Sequence, residues 1–212
     1  GFADGIGSFK RLTPKRFSQA ITVAKEYSYD ALSEPIEGTI LSVIADWADS
    51  VKNIHEKNED FVKILNFALE QAKDSLRKTP EKLAILKKYG VVDAGAQGFV
   101  DFLEGINHFI NKGEIDIVDT SAIAEPVENF EVELSDEFRY CTECLVAGNN
   151  IDRIKLKKQL MNLGSSIVLA GSKKKAKIHI HTNDPQAVFT LGHEYGTLSG
   201  EKADDMLKQQ KD

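Results

Sequence analysis

The residues with most chemical content are a histidine pair and two cysteines. His179 and His181 alternate with Ile178 and Ile180 in the run Ala-Lys-Ile-His-Ile-His-Thr at 176–182. On an extended strand, side chains at i and i+2 share a face, about 7 Å apart along the chain. Two imidazoles so placed can converge on one ion. Cys141 lies in a second extended segment, 138–146, that could pair beside the first, and its thiolate would complete three ligands. A Cys–His–His set suits zinc, a borderline-soft ion with a tetrahedral preference. Water, a substrate atom or Glu143, on the same face as Cys141, could fill the fourth position. The competing reading is a polar outward strand face that holds no ion. Cys141 and Cys144 also have redox-motif spacing. That motif normally opens a helix, whose N-terminus lowers a thiol pKa. Within a strand, i and i+3 face opposite sides, so Cys144 reads as a small buried apolar residue.

Two further segments could meet an anion. Gly38–Thr39 stands at a helix start, where backbone amides and a hydroxyl suit a phosphate. An ordinary N-cap after a turn would explain the same residues. The run Val-Val-Asp-Ala-Gly-Ala-Gln-Gly at 91–98 is a Gly-rich link. It could approach a nucleotide closely or simply connect two helices. Its spacing is not that of a Rossmann loop, and no strand precedes it.

The elements that must position these residues fall into two kinds. From Pro14 to about Lys112 the apolar period is helical. Thr13–Pro14 and Thr79–Pro80 are helix starts, with a hydroxyl N-cap and proline at the first turn. The first pattern carries Phe17, Ile21, Ala24 and Ser28. Helices are expected over 39–55, over 59–76, over a short stretch ending at Gly90, and over 95–112 with Phe99, Phe102, Leu103, Ile106 and Ile110 inward. Residues 114–136 are acidic and aperiodic, carry Pro126, and read as a linker with a short strand near Ile115–Val118. Beyond them the order is strand, helix, strand, strand, helix, with the last two strands able to form a hairpin. The expected fold class is therefore α, then α+β. A partial amphipathic helical barrel or bundle (1–113) precedes a small ferredoxin-like antiparallel sheet with helices on one face (137–212).

A net charge of -6 removes any general attraction to nucleic acid or anionic membrane. No apolar run approaches the roughly 18 residues that would span a bilayer. Two cysteines cannot make a disulfide framework, which fits reduced thiols and a cytoplasmic setting.

Three stretches in the second half and two in the first carry a family resemblance. YDALSEPIEGTILSVIADWAD (29–49) and LKKYGVVDAGAQGFVDFLEGI (86–106) resemble the second half of the dihydroxyacetone-kinase L-subunit-like kinase domain. YCTECLV (140–146), IHIHTNDPQAVF (178–189) and YGTLSGEKADDM (195–206) resemble the middle domain of the ATP-binding subunit of bacterial fatty acid kinase. The family phosphorylates a fatty acid held by a DegV-type lipid-binding protein, with ATP and magnesium. The resemblance implies that Gly38, Thr39 and Leu41 lie near the nucleotide with Asp93, Ala94 and Gly95. It implies zinc on Cys141, His179 and His181.

The family's magnesium-binding aspartates and phosphate loop have no counterpart in these 212 residues, which contain no DGDTG-like sequence. The expectation is an internal fragment, inactive alone as a kinase, lacking also the C-terminal DegV-like domain. Absent helices would expose Phe17, Ile21, Ile40 and Val43, so a homodimer is expected. Two other readings are a non-enzymatic metal-binding and dimerisation module, and a dihydroxyacetone kinase-like enzyme. The α/β half argues against the latter.

Overall fold

A computed structural model describes residues 1–9, 11–56, 59–114 and 138–209. The expected linker and its short strand near Ile115–Val118 lie outside the described residues. Helices α1 (Phe2–Ile6), α2 (Pro14–Ala31), α3 (Ile40–His55), α4 (Phe61–Arg77), α5 (Thr79–Lys82), α6 (Ala84–Tyr89) and α7 (Ala94–Lys112) form the first half. Their starts follow the capping chemistry. Thr13, Thr39, Asp60 and Asp93 each accept a backbone N–H from the first turn. Gly90 and Gly113 end α6 and α7 in the left-handed region.

One contiguous apolar core joins α2, α3, α4 and α7, with Val43, Val51 and Ile64 fully buried. Trp47 meets Phe17 and Phe99 edge to face. Two expectations are corrected. The buried stripe of α7 is Ala96, Val100, Leu103 and Asn107, while Phe102 is 63% exposed. Ile21 and Val43 are buried rather than exposed. Phe102, with Phe99, Ile106 and Ile110, instead lines an apolar cavity of about 620 Å³ between the helices.

The second half holds strands β1 (Tyr140–Ala147), β2 (Gly164–Gly171), β3 (Lys175–Thr182) and β4 (Thr197–Asp205), with α8 (Arg153–Leu160), α9 (Pro185–Tyr195) and the short α10 (Met206–Gln209). The sheet order is β2-β3-β1-β4, every neighbour antiparallel. This is the full ferredoxin-like order, and it contains one strand more than the sequence pattern indicated. The β4 residues are largely exposed and charged, with Gly200 at φ +62°, so no apolar alternation marks them. Pairing with β1 makes the strand. Leu156, Leu160 and Val188 pack on Cys144, Val146, Ile178 and Ile180, so α8 and α9 cover one sheet face.

The halves touch at the free edge of β2. Leu32, just beyond α2, makes an antiparallel bridge with Val168, and the Ser33 N–H donates to the Ile167 carbonyl at 3.0 Å. Lys157 of α8 donates to the carbonyls of Asp30 and Leu32 at 2.8 and 2.7 Å. The Arg153 guanidinium lies 4.6 Å from the centre of the Tyr27 ring. An edge strand needs such cover, because its unpaired amides and carbonyls otherwise invite foreign strands.

Candidate metal centre

The alternation of β1 and β3 sorts their residues by face. Thr142, Cys144 and Val146 join Ile178 and Ile180 in the core. Cys141, Glu143, Lys177, His179 and His181 take the face without helices. In the β1–β3 register, Cys141 stands opposite His181, and Glu143 opposite His179. One ligand atom from each of Cys141, His179 and His181 lies within 4.8 Å of the others. The Cys141 Sγ is 3.8 Å from His179 Nδ1. Bond lengths of about 2.3 Å to sulfur and about 2.0–2.1 Å to nitrogen place tetrahedral S and N ligands about 3.6 Å apart. The donor set and its spacing therefore fit a divalent ion after small side-chain adjustments.

The surroundings set the protonation of these groups. Burial pushes the Cys141 thiol up, and the nearby Glu143 carboxylate adds to this. A bound cation would have to draw out the thiolate. Burial lowers His181, helped by His179, which favours the neutral imidazole that binds metals. Glu143 accepts from Lys177 at 2.5 Å and faces His179 Nδ1 at 3.0 Å; these two contacts hold its carboxyl at about 2. A carboxylate against one ring nitrogen orients a histidine and fixes its tautomer, leaving the other nitrogen for the ion. The sequence reading gives Lys177 no part in the site, although its i-2 position already puts it on the face of His179. Gly164 allows β2 to close on His181, since a Cβ there would stand 2.0 Å from the His181 carbonyl oxygen. Cys144 is buried, and its thiol is pushed up to about 11, so it has the character of an inert core residue.

The two anion-binding candidates also come together. Asp93 Oδ1 accepts from Ile40 N at 3.0 Å and from Ala96 N at 2.8 Å, which sets the starts of α3 and α7 side by side. Gly38, at φ +83°, packs against α5, where a Cβ would meet the Lys82 and Leu83 Cβ atoms at 2.9 Å. Its N–H donates to Ser42 Oγ, which donates to Glu37. Thr39 caps α3 through Leu41 N, and the Leu41 side chain is buried. Ala94 and Gly95 begin α7, and Gly95 faces Ile40. Gly38, Thr39 and the Asp93–Gly95 turn thus share one neighbourhood.

A family model described as the DAK2 domain matches residues 1–108, and one for the FakA-like middle domain of fatty acid kinases matches residues 137–212. The chain belongs to the DAK2 family. Both models are of kinase-related families, and they occur here in the expected order. Similar proteins include an uncharacterized protein of Staphylococcus epidermidis, 30% identical over 100% of this chain and 40% of its own length. Others come from Staphylococcus saprophyticus, 28% identical with 40% of its length matched, and Staphylococcus aureus, 28% identical with 41% matched. The chain thus spans about 40% of the length of the curated relatives it matches. The DAK2 match covers the paired starts of α3 and α7, and the middle-domain match covers all three candidate ligands. Among the described residues, no helix is long and apolar enough to cross a membrane.

Proposed function

We propose that this chain is part of a kinase subunit that phosphorylates a fatty acid presented by a DegV-type carrier protein, with ATP and magnesium. In this reading residues 1–113 belong to the nucleotide-binding domain, 114–136 link it to the next, and 137–212 form the metal-binding middle domain. A fatty-acid carboxylate oxygen attacks the γ-phosphorus, the bond to the bridging oxygen breaks, and ADP leaves an acyl phosphate. Such transfers depend on positioning and on charge stabilisation. The magnesium-binding aspartates and phosphate loop belong to sequence outside these 212 residues, so this chain alone does not catalyse the reaction. Its contribution is the nucleotide neighbourhood of Gly38, Thr39, Leu41, Asp93, Ala94 and Gly95. There the paired helix starts offer backbone N–H groups, and the small residues permit close approach.

Cys141, His179 and His181 would hold zinc in the middle domain, with Glu143 orienting His179. Zinc there would supply a Lewis-acidic charge suited to a carboxylate, or a structural clasp between β1 and β3. The first version has the middle domain position the fatty-acyl carboxylate or help recognise the carrier. The observation that carries the reading is this Cys–His–His cluster in a chain that both family models match in that order.

The test uses the full-length parent protein with carrier-bound fatty acid and labelled ATP. His179→Ala and His181→Ala are expected to abolish transfer while ATP binding persists. Retained transfer and carrier binding, with only lower stability, would sink the catalytic role and leave a structural zinc.

A further inference from the structure

The edge strand β2 is irregular where it faces the two histidines. Ser165 pairs with His181 and Val168 with His179, so three steps along β2 span two along β3. The extra residue is accommodated by Ser166 at φ +52°, the only described non-glycine with positive φ. Bulges of this kind bend a strand, raise its local twist and re-aim neighbouring side chains. A residue so strained persists only when its surroundings over-determine it.

The restraint comes from the other half of the molecule. On the outer side of β2, Leu32 bridges Val168 and the Ser33 N–H donates to Ile167. The row Leu32–Val168–His179–Glu143 therefore runs without a break from the end of α2 to the candidate metal centre. Lys157 fixes the outer end of this row through the Asp30 and Leu32 carbonyls, which α2 leaves without helical partners. From Ser33 the chain runs directly to Gly38 and Thr39 at the start of α3.

We infer that the Leu32–Ser33 segment, held by Lys157, is a clamp on the β2 bulge that sets the geometry of His179 and His181. Lys157 is a positioning residue and touches no ligand. The inference rests on the proposed metal reading, but the clamp can be tested apart from it.

The experiment titrates cobalt(II), a coloured substitute for zinc, into the whole chain and three variants. Lys157→Met removes both carbonyl contacts at a solvent-accessible position. Ser33→Pro removes only the N–H that Ile167 accepts, and Leu32 already has the extended backbone that precedes proline. Both variants are expected to bind cobalt about tenfold more weakly, the lower end for losing an outer partner of a metal site. Their ligand-field bands should shift. Lys157→Arg should restore affinity and spectrum. Wild-type affinity and spectrum in Lys157→Met would overturn the clamp. So would weaker binding with an unshifted spectrum that Lys157→Arg fails to rescue. If wild-type protein binds no cobalt, the metal reading fails, and amide hydrogen exchange decides the clamp alone. Faster exchange at the β2 and β3 amides around Val168 and His179 in Lys157→Met supports it, and unchanged exchange overturns it.

Discussion

Asp93 Oδ1 accepts a hydrogen bond from the backbone N–H of Ile40 at 3.0 Å, so one carboxylate serves helices that start 54 residues apart in sequence, at positions 40 and 94. The same oxygen caps α7 through Ala96. Asp93 is in turn held by Thr79, which is fully buried and accepts the Asp93 N–H at 3.1 Å. Asp93→Ala would leave two first-turn amides without this partner. Loss of an N-cap costs about 1 kcal/mol, up to about 2. The second amide puts the expectation at the upper end. Urea denaturation followed by helical circular dichroism measures it, and Asp93→Asn should recover much of the loss. A change below about 0.5 kcal/mol in Asp93→Ala would mean that water replaces the carboxylate freely.

The metal-centre prediction concerns stoichiometry. Elemental analysis of protein purified without chelator should find about one zinc per chain, as expected for a site with three protein ligands. Cys141→Ser and His181→Ala should each remove most of it. Cys144→Ala should keep the metal, because that thiol lies in the core on the opposite sheet face. Loss of metal from Cys144→Ala, with the fold intact, would reassign the ligand set.

Much of this was legible in the sequence, and what was not has physical causes. Helix starts were readable because Thr13, Thr39 and Asp93 act locally. The histidine pair was readable because strand alternation is local too. Strand β4 was invisible because its existence depends on β1, 50 or more residues away, and it buries little apolar surface of its own. The outward position of Phe102 was missed because α7 is apolar over more than one stripe, and only its neighbours decide which stripe is buried. The Leu32–Val168 bridge joins residues that no pattern relates.

Gly38 offers a sharper test of backbone geometry. Its φ of +83° disfavours any side chain, and a Cβ would press on Lys82 and Leu83 at 2.9 Å. Gly38→Ala should destabilise the helical half by about 1–3 kcal/mol, the cost of a strained backbone residue. Gly90→Ala has the strain but open space around it, so its cost should be smaller. Chemical denaturation of the pair checks the ordering. Equal losses would mean that φ alone decides and the contact with α5 is soft.

Strand β4 depends on polar contacts, and acid should loosen it. Arg139 bonds the Asp205 carboxylate at 2.6 and 3.1 Å and holds its carboxyl below the usual range. The folded value lies below the unfolded one. The contribution is therefore fully present above the ordinary aspartate range and fades as pH falls through the lowered folded value. Asp205→Asn should flatten that part of the acid-side stability profile of the α/β half and leave neutral-pH metal binding intact. An acid limb identical to wild type would show that the pair adds nothing to stability.

The apolar cavity makes a prediction about association. Phe102 is 63% exposed and stands on the rim of the 620 Å³ space lined also by Phe17, Trp47 and Phe99. Exposed apolar patches of this extent mark surfaces that other protein covers. The chain by itself should therefore self-associate, as sedimentation at increasing concentration would show. Phe102→Ser should reduce this association while changing folding stability by no more than about 0.5 kcal/mol, as for surface positions generally. Ile64→Ala, fully buried in the same half, should cost about 2–5 kcal/mol and not relieve association. A wild-type chain that stays monomeric throughout, or a Phe102→Ser variant that associates as before, would separate the cavity from any interface.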